Sequence, residues 1–487
     1  RRVMKQRQRA KIAAIVALAL PLALTSCGTR LPHSAVVAAA DGGAAPSSNS
    51  GGTTAGGVTT PGASTSAPGV TTPSSSAPTT GTSIVPGSGE SPGKTTGGSG
   101  AGTPAGQQTQ AAGTSHTCAK QGSPIVYGQV GTFSGIIGGS IGSAVDGLKI
   151  WAAATNAVGG IACHPVVVDS IDDGGDNGSA QSGVEQLVQD DHAVAINAFT
   201  PITTAGIEPY IDQHRVPVVG GDLLSSAWYT DKNFFPQGGP LQAVLYAISR
   251  YAVLQGGTKY SFFYCIEASP CTQGENMLTK QGIAAKAGLH AVGDQPISLA
   301  GSNFTQQCAT AKSKGANVIF IGAGVSAVNA IGRDCASQNY HPIYLALSLG
   351  VTNSQQSDPN LQGLAIGSVQ FPWMATGTPA LTAYHDALAR YAPTLDDSGG
   401  AAAGWTSGEL FERAILNLGS AAYGNITSAD VIKGLAMIHN NNLGGLVGGH
   451  LNFHANAPAT LDSCVFVAVI SKDKWAPAQG GRAICEP

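Results

Sequence analysis

Several groups of residues in this chain have types and spacings that could do chemistry. Gly322-Ala-Gly324-Val-Ser-Ala327 follows a strand-like run and opens a helix-like one. That arrangement seats a dinucleotide pyrophosphate on a helix N-terminus. The acid that would hold the ribose about 20 residues further on is missing, the nearest being Asp334 and Asp358, so the run reads as tight strand-to-helix packing. Asp172, Asp173 and Asp176 crowd one loop, but they lack the alternate spacing and late Glu of a calcium loop. They read as solvated loop acids or as caps for the helix after Gly178. His450 and His454 fall in a strand-like stretch with no third ligand, so no metal is assigned. The cysteines are better spent on disulfides than on a Cys-His pair. No catalytic group, metal or cofactor is assigned, and the chain does not read as an enzyme.

Composition narrows the field further. Charged residues make up 11% of the 487 and the net charge is −3, which gives no basic surface for nucleic acid. Residues 1–27 read as an export signal. Arg1, Arg2, Lys5, Arg7, Arg9 and Lys11 form its positive region, and Ile12–Leu24 is an apolar run too short for a typical spanning helix. The run ends in Leu24-Thr25-Ser26-Cys27, which resembles the bacterial lipobox. That likeness implies acylation of Cys27 and a membrane anchor outside the cytoplasm. Residues 28–117 are Gly, Ser, Thr, Ala and Pro almost throughout and cannot bury enough apolar surface to order themselves. As a tether of about 90 residues they span roughly 50 Å.

The elements that must position any site begin near Cys118. Ile125–Val130 reads as a strand, followed by the small-residue loop Gly131-Thr-Phe-Ser-Gly135 and a helix with Ile141, Val145, Leu148 and Ala152 at helical spacing. Strand, loop and helix N-terminus are how open α/β sheets build a crevice at the carboxyl ends of their strands. Further strands are expected at Pro165–Ser170, Ala193–Ala198 and Val216–Val219, with helices at Gly178–Gln189 and Ile202–Gln213. A helix at Pro240–Leu254 leads to a second series, with strands Tyr260–Cys265, Ala291–Ile297, Asn317–Ile321 and Pro342–Ala346 and helices near 273–287, 303–314 and 325–338. A strand at Leu364–Gln370 and helices near 379–391, 401–422 and 428–438 come next. A hairpin-like stretch, Gly449–Ile470, follows. Two β/α series suggest two Rossmann-like lobes with a cleft between them.

With Cys27 set aside, eight of the nine cysteines remain, and an even count in an exported chain argues four disulfides, for which 105 pairings exist. Element order suggests one of them. Cys118 and Cys163 each precede strands that should be neighbours, and Cys265 and Cys271 bracket a loop. Cys308 and Cys335 sit on helices flanking the strand at 317–321, and Cys464 and Cys485 pin the C-terminal segment.

The folded part resembles the type I periplasmic solute-binding proteins, and in particular the branch that binds leucine, isoleucine and valine for ABC importers. The resemblance rests on Gly131–Gly135 with Asn156-Ala-Val-Gly-Gly-Ile161, on Asp172-Asp-Gly-Gly-Asp176 with Glu185-Gln-Leu-Val188, and on Asn303-Phe-Thr305. It implies a hinged, interlobe solute cleft, a permease and an ATPase as partners, and no catalysis. It divides 118–487 into lobe one, about 118–252 and 372–452, and lobe two, about 253–371 and 453–487. By the same likeness the loops Ser134–Ser140, Thr200–Thr204 and Gly221–Ser225 face the solute. Ser134, Ser140, Thr200, Thr203, Asp222, Gln273 and Gly324 are then the ligand-binding candidates. Thr200 and Thr203 either meet the solute or cap the helix beginning near Ile202. Phe371-Pro-Trp373 either lines the cleft or packs the hinge.

The departures from the family are as telling. Its aromatics fall at Ser140, near Gln273 and about Gly324, and the acid that pairs with an α-ammonium falls near Leu347. Asp222 stands where a small neutral residue is usual and would oppose a solute carboxylate unless paired. The resemblance therefore implies a small solute that is not an ordinary branched-chain amino acid. A ligand-sensing receptor domain of the same fold, without transport, is the alternative.

Overall fold

The computed structural model describes Cys118, Lys120–Thr460 and Asp462–Pro487. The export signal with Cys27 and the tether of 28–117 lie outside the described residues, as do the side chains of Ile136 and Ser140.

The first lobe grows from β1 (Ile125–Gly131), buried along almost its whole length. After it come α1 (Gly135–Ile141), α2 (Ser143–Ala157), β2 (Val166–Asp172), α3 (Asn177–Gln189), β3 (Ala195–Phe199), α4 (Thr204–His214), β4 (Val218–Gly221), α5 (Ala227–Thr230) and β5 (Phe234–Phe235). The strands form one parallel sheet in the order β2-β1-β3-β4-β5. Strand order therefore reverses at β1, and the crevice of such a sheet opens beside the carboxyl end of that strand.

The second lobe begins with α6 (Leu241–Leu254) and β6 (Lys259–Cys265). It continues through α7 (Ser269–Glu275), a π-helical turn at Asn276–Lys280, α8 (Ile283–Ala287), β7 (His290–Ala291), β8 (Gln295–Ile297), α9 (Thr305–Ser313), β9 (Val318–Gly322), α10 (Val325–Ala336), β10 (Ile343–Leu347) and β11 (Ala365–Ser368). The chain then returns to the first lobe with α11 (Pro379–Tyr391), α12 (Gly399–Leu416) and α13 (Ser428–Leu435). It finishes in the second with β12 (Cys464–Ile470), β13 (Trp475–Pro477) and β14 (Ile484–Cys485). The second sheet runs β13-β12-β11-β10-β9-β6-β7, with β8 beside β6 and β14 beside β12. β12 is antiparallel to β11, β13 and β14.

Four sequence expectations need correction. The division between lobes at 252–253 is too late, because the apolar face of α6 packs on β10, β11 and β12, in one cluster with Phe262, Phe320 and Leu345. The crossing thus falls between β5 and α6. The glycine-rich turn expected before a helix at Ser140–Asn156 is itself helical, as α1, and meets α2 at Gly142. The strand expected at 291–297 is broken into β7 and β8 around Gly293, whose φ of 137° belongs to glycine. The stretch 449–470 forms a named strand only at β12, which pairs with β11.

The joined disulfides are Cys118–Cys163, Cys265–Cys271, Cys308–Cys335 and Cys464–Cys485. The last fixes β14 on β12, where these two residues face each other in register.

The core of the first lobe shows why α12 returns to it. Tyr127 of β1 stacks on Phe411 of α12 at 4.2 Å between ring centroids, and Trp151 of α2 meets both edge-on. α2 and α12 approach so closely that only small residues fit between them. A Cβ on Gly147 would lie 2.0 Å from the Ala401 carbonyl oxygen, and one on Gly404 would lie 2.3 Å from that of Ala144.

Candidate functional site

The polar loops of the first lobe are bonded inward. Asp173 is buried and accepts the Thr132 hydroxyl at 2.7 Å, the Gly175 N–H at 2.8 Å and the Thr203 hydroxyl at 2.6 Å. Thr203, expected to meet a solute, is fully buried and spends its donor here. Thr200 is buried as well, with its Oγ1 3.3 Å from that of Thr204. Its N–H donates to Asp222 Oδ2 at 2.8 Å, and the Leu224 N–H donates to Asp222 Oδ1 at 2.7 Å. Asp222 is thus a buried carboxylate paired with backbone, which answers how an anion is tolerated in this loop. Burial pushes its carboxyl up to about 6, and the two N–H bonds only partly offset that.

The acidic loop does structural work too. Asp172 Oδ1 accepts from Phe133 N–H, Ser134 N–H and Gly174 N–H, which ties the first loop to the end of β2. Partial burial pushes the Asp172 carboxyl up, and these bonds together with the Ser134 side chain more than offset it, leaving the carboxyl below its ordinary value. Asp176 caps α3 through Ser179 N–H at 2.8 Å. Among the described residues no group of three His, Cys, Asp or Glu could hold a metal. His454 lies 3.3 Å from the Thr460 hydroxyl, and its ring faces that of His439 rather than a cluster of ligands.

The remaining candidates scatter. Ser134 precedes α1 and is exposed. The Ser140 side chain lies outside the described residues. Gln273 is half-buried on α7, whereas its neighbours Cys271 and Gly274 line the main cavity. Gly324 lines that cavity at the start of α10, and Leu347 joins it from the end of β10. Phe371 and Trp373 are buried away from it. Phe371 packs edge-on against Tyr384 and Trp373 against Trp475, so they fill the region where the chain recrosses.

The cavity has a volume of about 120 Å³ and opens to solvent. The first lobe contributes Ile137 and Ile141, one helical turn apart on α1, with Pro201 before α4. Leu224 and the second lobe supply the rest: the ends of β6, β9 and β10, the start of α7, and one face of α6. Among the described residues no lining side chain carries a charge, hydroxyl, amide or imidazole, and the two cysteines that line the cavity are joined to each other. Its volume is smaller than that of most small-molecule sites, which also add a few convergent polar side chains. This one offers backbone groups and hydrocarbon.

Sequence reasoning looked for polar residues and missed this wall. The usable signals were the apolar Leu347 in the place of the family's acid, and the Ile137/Ile141 pair on the helix after the first loop.

Two α/β lobes, crossed by the chain three times and facing a common cavity, define the type I periplasmic binding protein fold. The sequence model of the periplasmic binding protein family matches residues 124–474, and the chain belongs to that family. Solved structures agree in fold. A branched-chain amino acid ABC transporter protein of Thermus thermophilus with bound valine superposes with a TM-score of 0.66 at 13% identity, over 75% of this chain and 97% of that one. A fatty acid ABC transporter substrate-binding protein of Thermomonospora curvata gives 0.62 at 16% identity, over 75% and 95%. A solute-binding protein of R. palustris in complex with benzoate gives 0.61 at 13% identity, over 74% and 98%. No curated protein matches the sequence.

Proposed function

We propose that this chain is the solute-capturing component of an ABC importer, held outside the cytoplasm by acylated Cys27 and the 28–117 tether, and that its solute is apolar. The observation that carries the reading is the cavity between the lobes, walled by hydrocarbon, with no side chain among the described residues to hold an α-carboxylate or α-ammonium. An amino acid zwitterion placed there would lose its hydration and gain only backbone partners, which leaves its burial unfavourable. The hydroxyls of Thr200 and Thr203 and the Asp222 carboxylate, which could have met it, are already bonded within the first lobe. Solutes named for proteins of this fold include a fatty acid and benzoate as well as valine, so the scaffold accommodates apolar cargo. Closure of the lobes would bury the solute and present the permease with one shape.

Native mass spectrometry of the purified protein, exposed to a total lipid and small-molecule extract, should return a bound apolar compound. Calorimetric titration with leucine and valine should show no heat of binding. Tight binding of either amino acid would overturn the reading.

A further inference from the structure

One turn beside the cavity is held in a conformation that its residue disfavours. Leu223, just after β4, has a φ of 58°. Left-handed backbone is unfavourable for a bulky L residue, whose Cβ crowds the following carbonyl oxygen. Among the described non-glycine residues with positive φ, Leu223 alone adjoins in sequence a residue that lines the cavity, Leu224. Two polar side chains hold the turn. Asp222 Oδ1 accepts the Leu224 N–H at 2.7 Å, which closes the chain over Leu223, while Oδ2 stays on the Thr200 N–H at 2.8 Å. The Tyr229 hydroxyl, on α5, donates to the Leu223 carbonyl and accepts the Leu241 N–H at 3.0 Å. It thereby ties the turn to the first residue of α6, where the second lobe begins. Successive side chains then serve different lobes. Leu223 is fully buried in the first-lobe cluster with Ile207, Trp228 and Phe234. Leu224 packs on the second-lobe cluster that holds Leu241, Leu245 and Ile248 of α6, and all four line the cavity. Neither Asp222 nor Tyr229 lines it. Strained backbone of this kind persists only where its surroundings over-determine it, and it recurs at ligand sites.

We infer that Leu224 sets which apolar solutes the cleft accepts, and that Asp222 and Tyr229 are the positioning residues that keep it in place by holding Leu223 left-handed. The inference rests on the apolar-solute reading above and assigns its selectivity to one side chain. A cavity of about 120 Å³ is small enough for one side chain to decide what fits. Leu241, Leu245 and Ile248 are fixed along a helix, whereas Leu224 reaches the same wall from a turn. Its place therefore depends on the two groups that hold that turn. Released from the left-handed conformation, Leu223 would carry Leu224 away from α6 and widen the cavity, as shortening Leu224 itself would.

The test uses the full chain, freed of bound solute and titrated with fluorobenzene and with fluoronaphthalene by fluorine NMR. Leu224→Ala should raise the affinity for the two-ring probe relative to the one-ring probe by about tenfold. Tyr229→Phe and Asp222→Asn should move the same ratio in the same direction, although neither residue lines the cavity. Val431→Ala is the control: the residue is buried in α13 and absent from the cavity lining, so the variant should lose stability and keep the wild-type ratio. A wild-type ratio in Leu224→Ala overturns the selectivity assignment. Tyr229→Phe and Asp222→Asn proteins that lose stability with the ratio unmoved, as Val431→Ala does, overturn the positioning role. The turn is also read without any solute. Amide hydrogen exchange at Leu224 and Leu241 should quicken by about tenfold in Tyr229→Phe, and unchanged exchange at both overturns the hold on the turn. Failure of both probes to bind the wild type overturns the apolar-solute reading and the selectivity with it, while the exchange result still decides the turn.

Discussion

Substituting Gly404 by Ala should destabilise the first lobe, although alanine is the better helix former. The added Cβ would lie 2.3 Å from the Ala144 carbonyl oxygen and 2.8 Å from the Leu148 nitrogen, both backbone atoms of α2 that cannot swing aside. The helices must part by most of an ångström, in a layer where Tyr127, Trp151 and Phe411 already interlock. Overpacking of this kind costs about 1–3 kcal/mol, and the upper part of that range applies because backbone meets backbone. The helix-propensity gain of alanine returns up to about 1 kcal/mol, so the net loss is about 2 kcal/mol. For a unit of this size that lowers the melting temperature by roughly 4–8 °C, read by circular dichroism. Gly139→Ala is the control: its Cβ meets nothing within 4 Å, and its melting temperature should hold or rise. Gly147→Ala should behave like Gly404→Ala. Combining the two should cost less than the sum, because helices parted by the first substitution already make room for the second. A Gly404→Ala protein that melts with the Gly139→Ala control, or strict additivity in the pair, would refute the close-approach argument.

Two other outcomes follow from groups described above. Asp222 has its carboxyl raised by burial from 3.8 to about 6, so the folded state holds that proton more tightly than the unfolded chain does. Its stabilising contribution is complete below about pH 4 and is lost as pH rises through about 6, by at most roughly 1.4 kcal/mol per unit. Urea titrations across this interval should show a flatter slope for Asp222→Asn than for the wild type, and equal slopes would contradict the assignment. Cys118–Cys163 closes a separation of 45 residues and Cys265–Cys271 one of only 6. Replacing both partners by Ser should cost about 4 kcal/mol for the first bridge and about 2 kcal/mol for the second, and the reverse order of urea midpoints would count against the loop-entropy account.

The fold was legible because it is repetitive. Apolar runs such as Val318–Gly322 and helix patterns such as Pro379–Tyr391 carry their type in their periodicity, and few boundaries moved by more than two residues. What escaped was set by contacts distant in sequence. Nothing within α6 says which sheet it will cover, since both sheets offer apolar faces. The site was harder still. Thr200, Thr203 and Asp222 look like ligands in sequence, and only the structure shows their bonds to Thr204, Asp173 and the backbone of the next loop. Conversely, Leu245 and Ile248 look like ordinary core residues, yet they line the cavity.

The return of late segments to early sheets governs how the molecule can be made. β4 in the first lobe is covered by α12, and β11 in the second is paired by β12, so each lobe is completed from the far end of the chain. During synthesis from amino to carboxyl end, the first sheet waits with part of one face uncovered until residues 399–416 appear, and the second keeps an open edge until 464–470 do. Such long-range closure makes for slow folding and a prolonged period of sticky, unfinished surface. No single cut yields either lobe alone: a fragment ending before 399 would lack the lid of one lobe and the edge strand of the other. Obtaining an isolated lobe requires rejoining distant segments through new linkers.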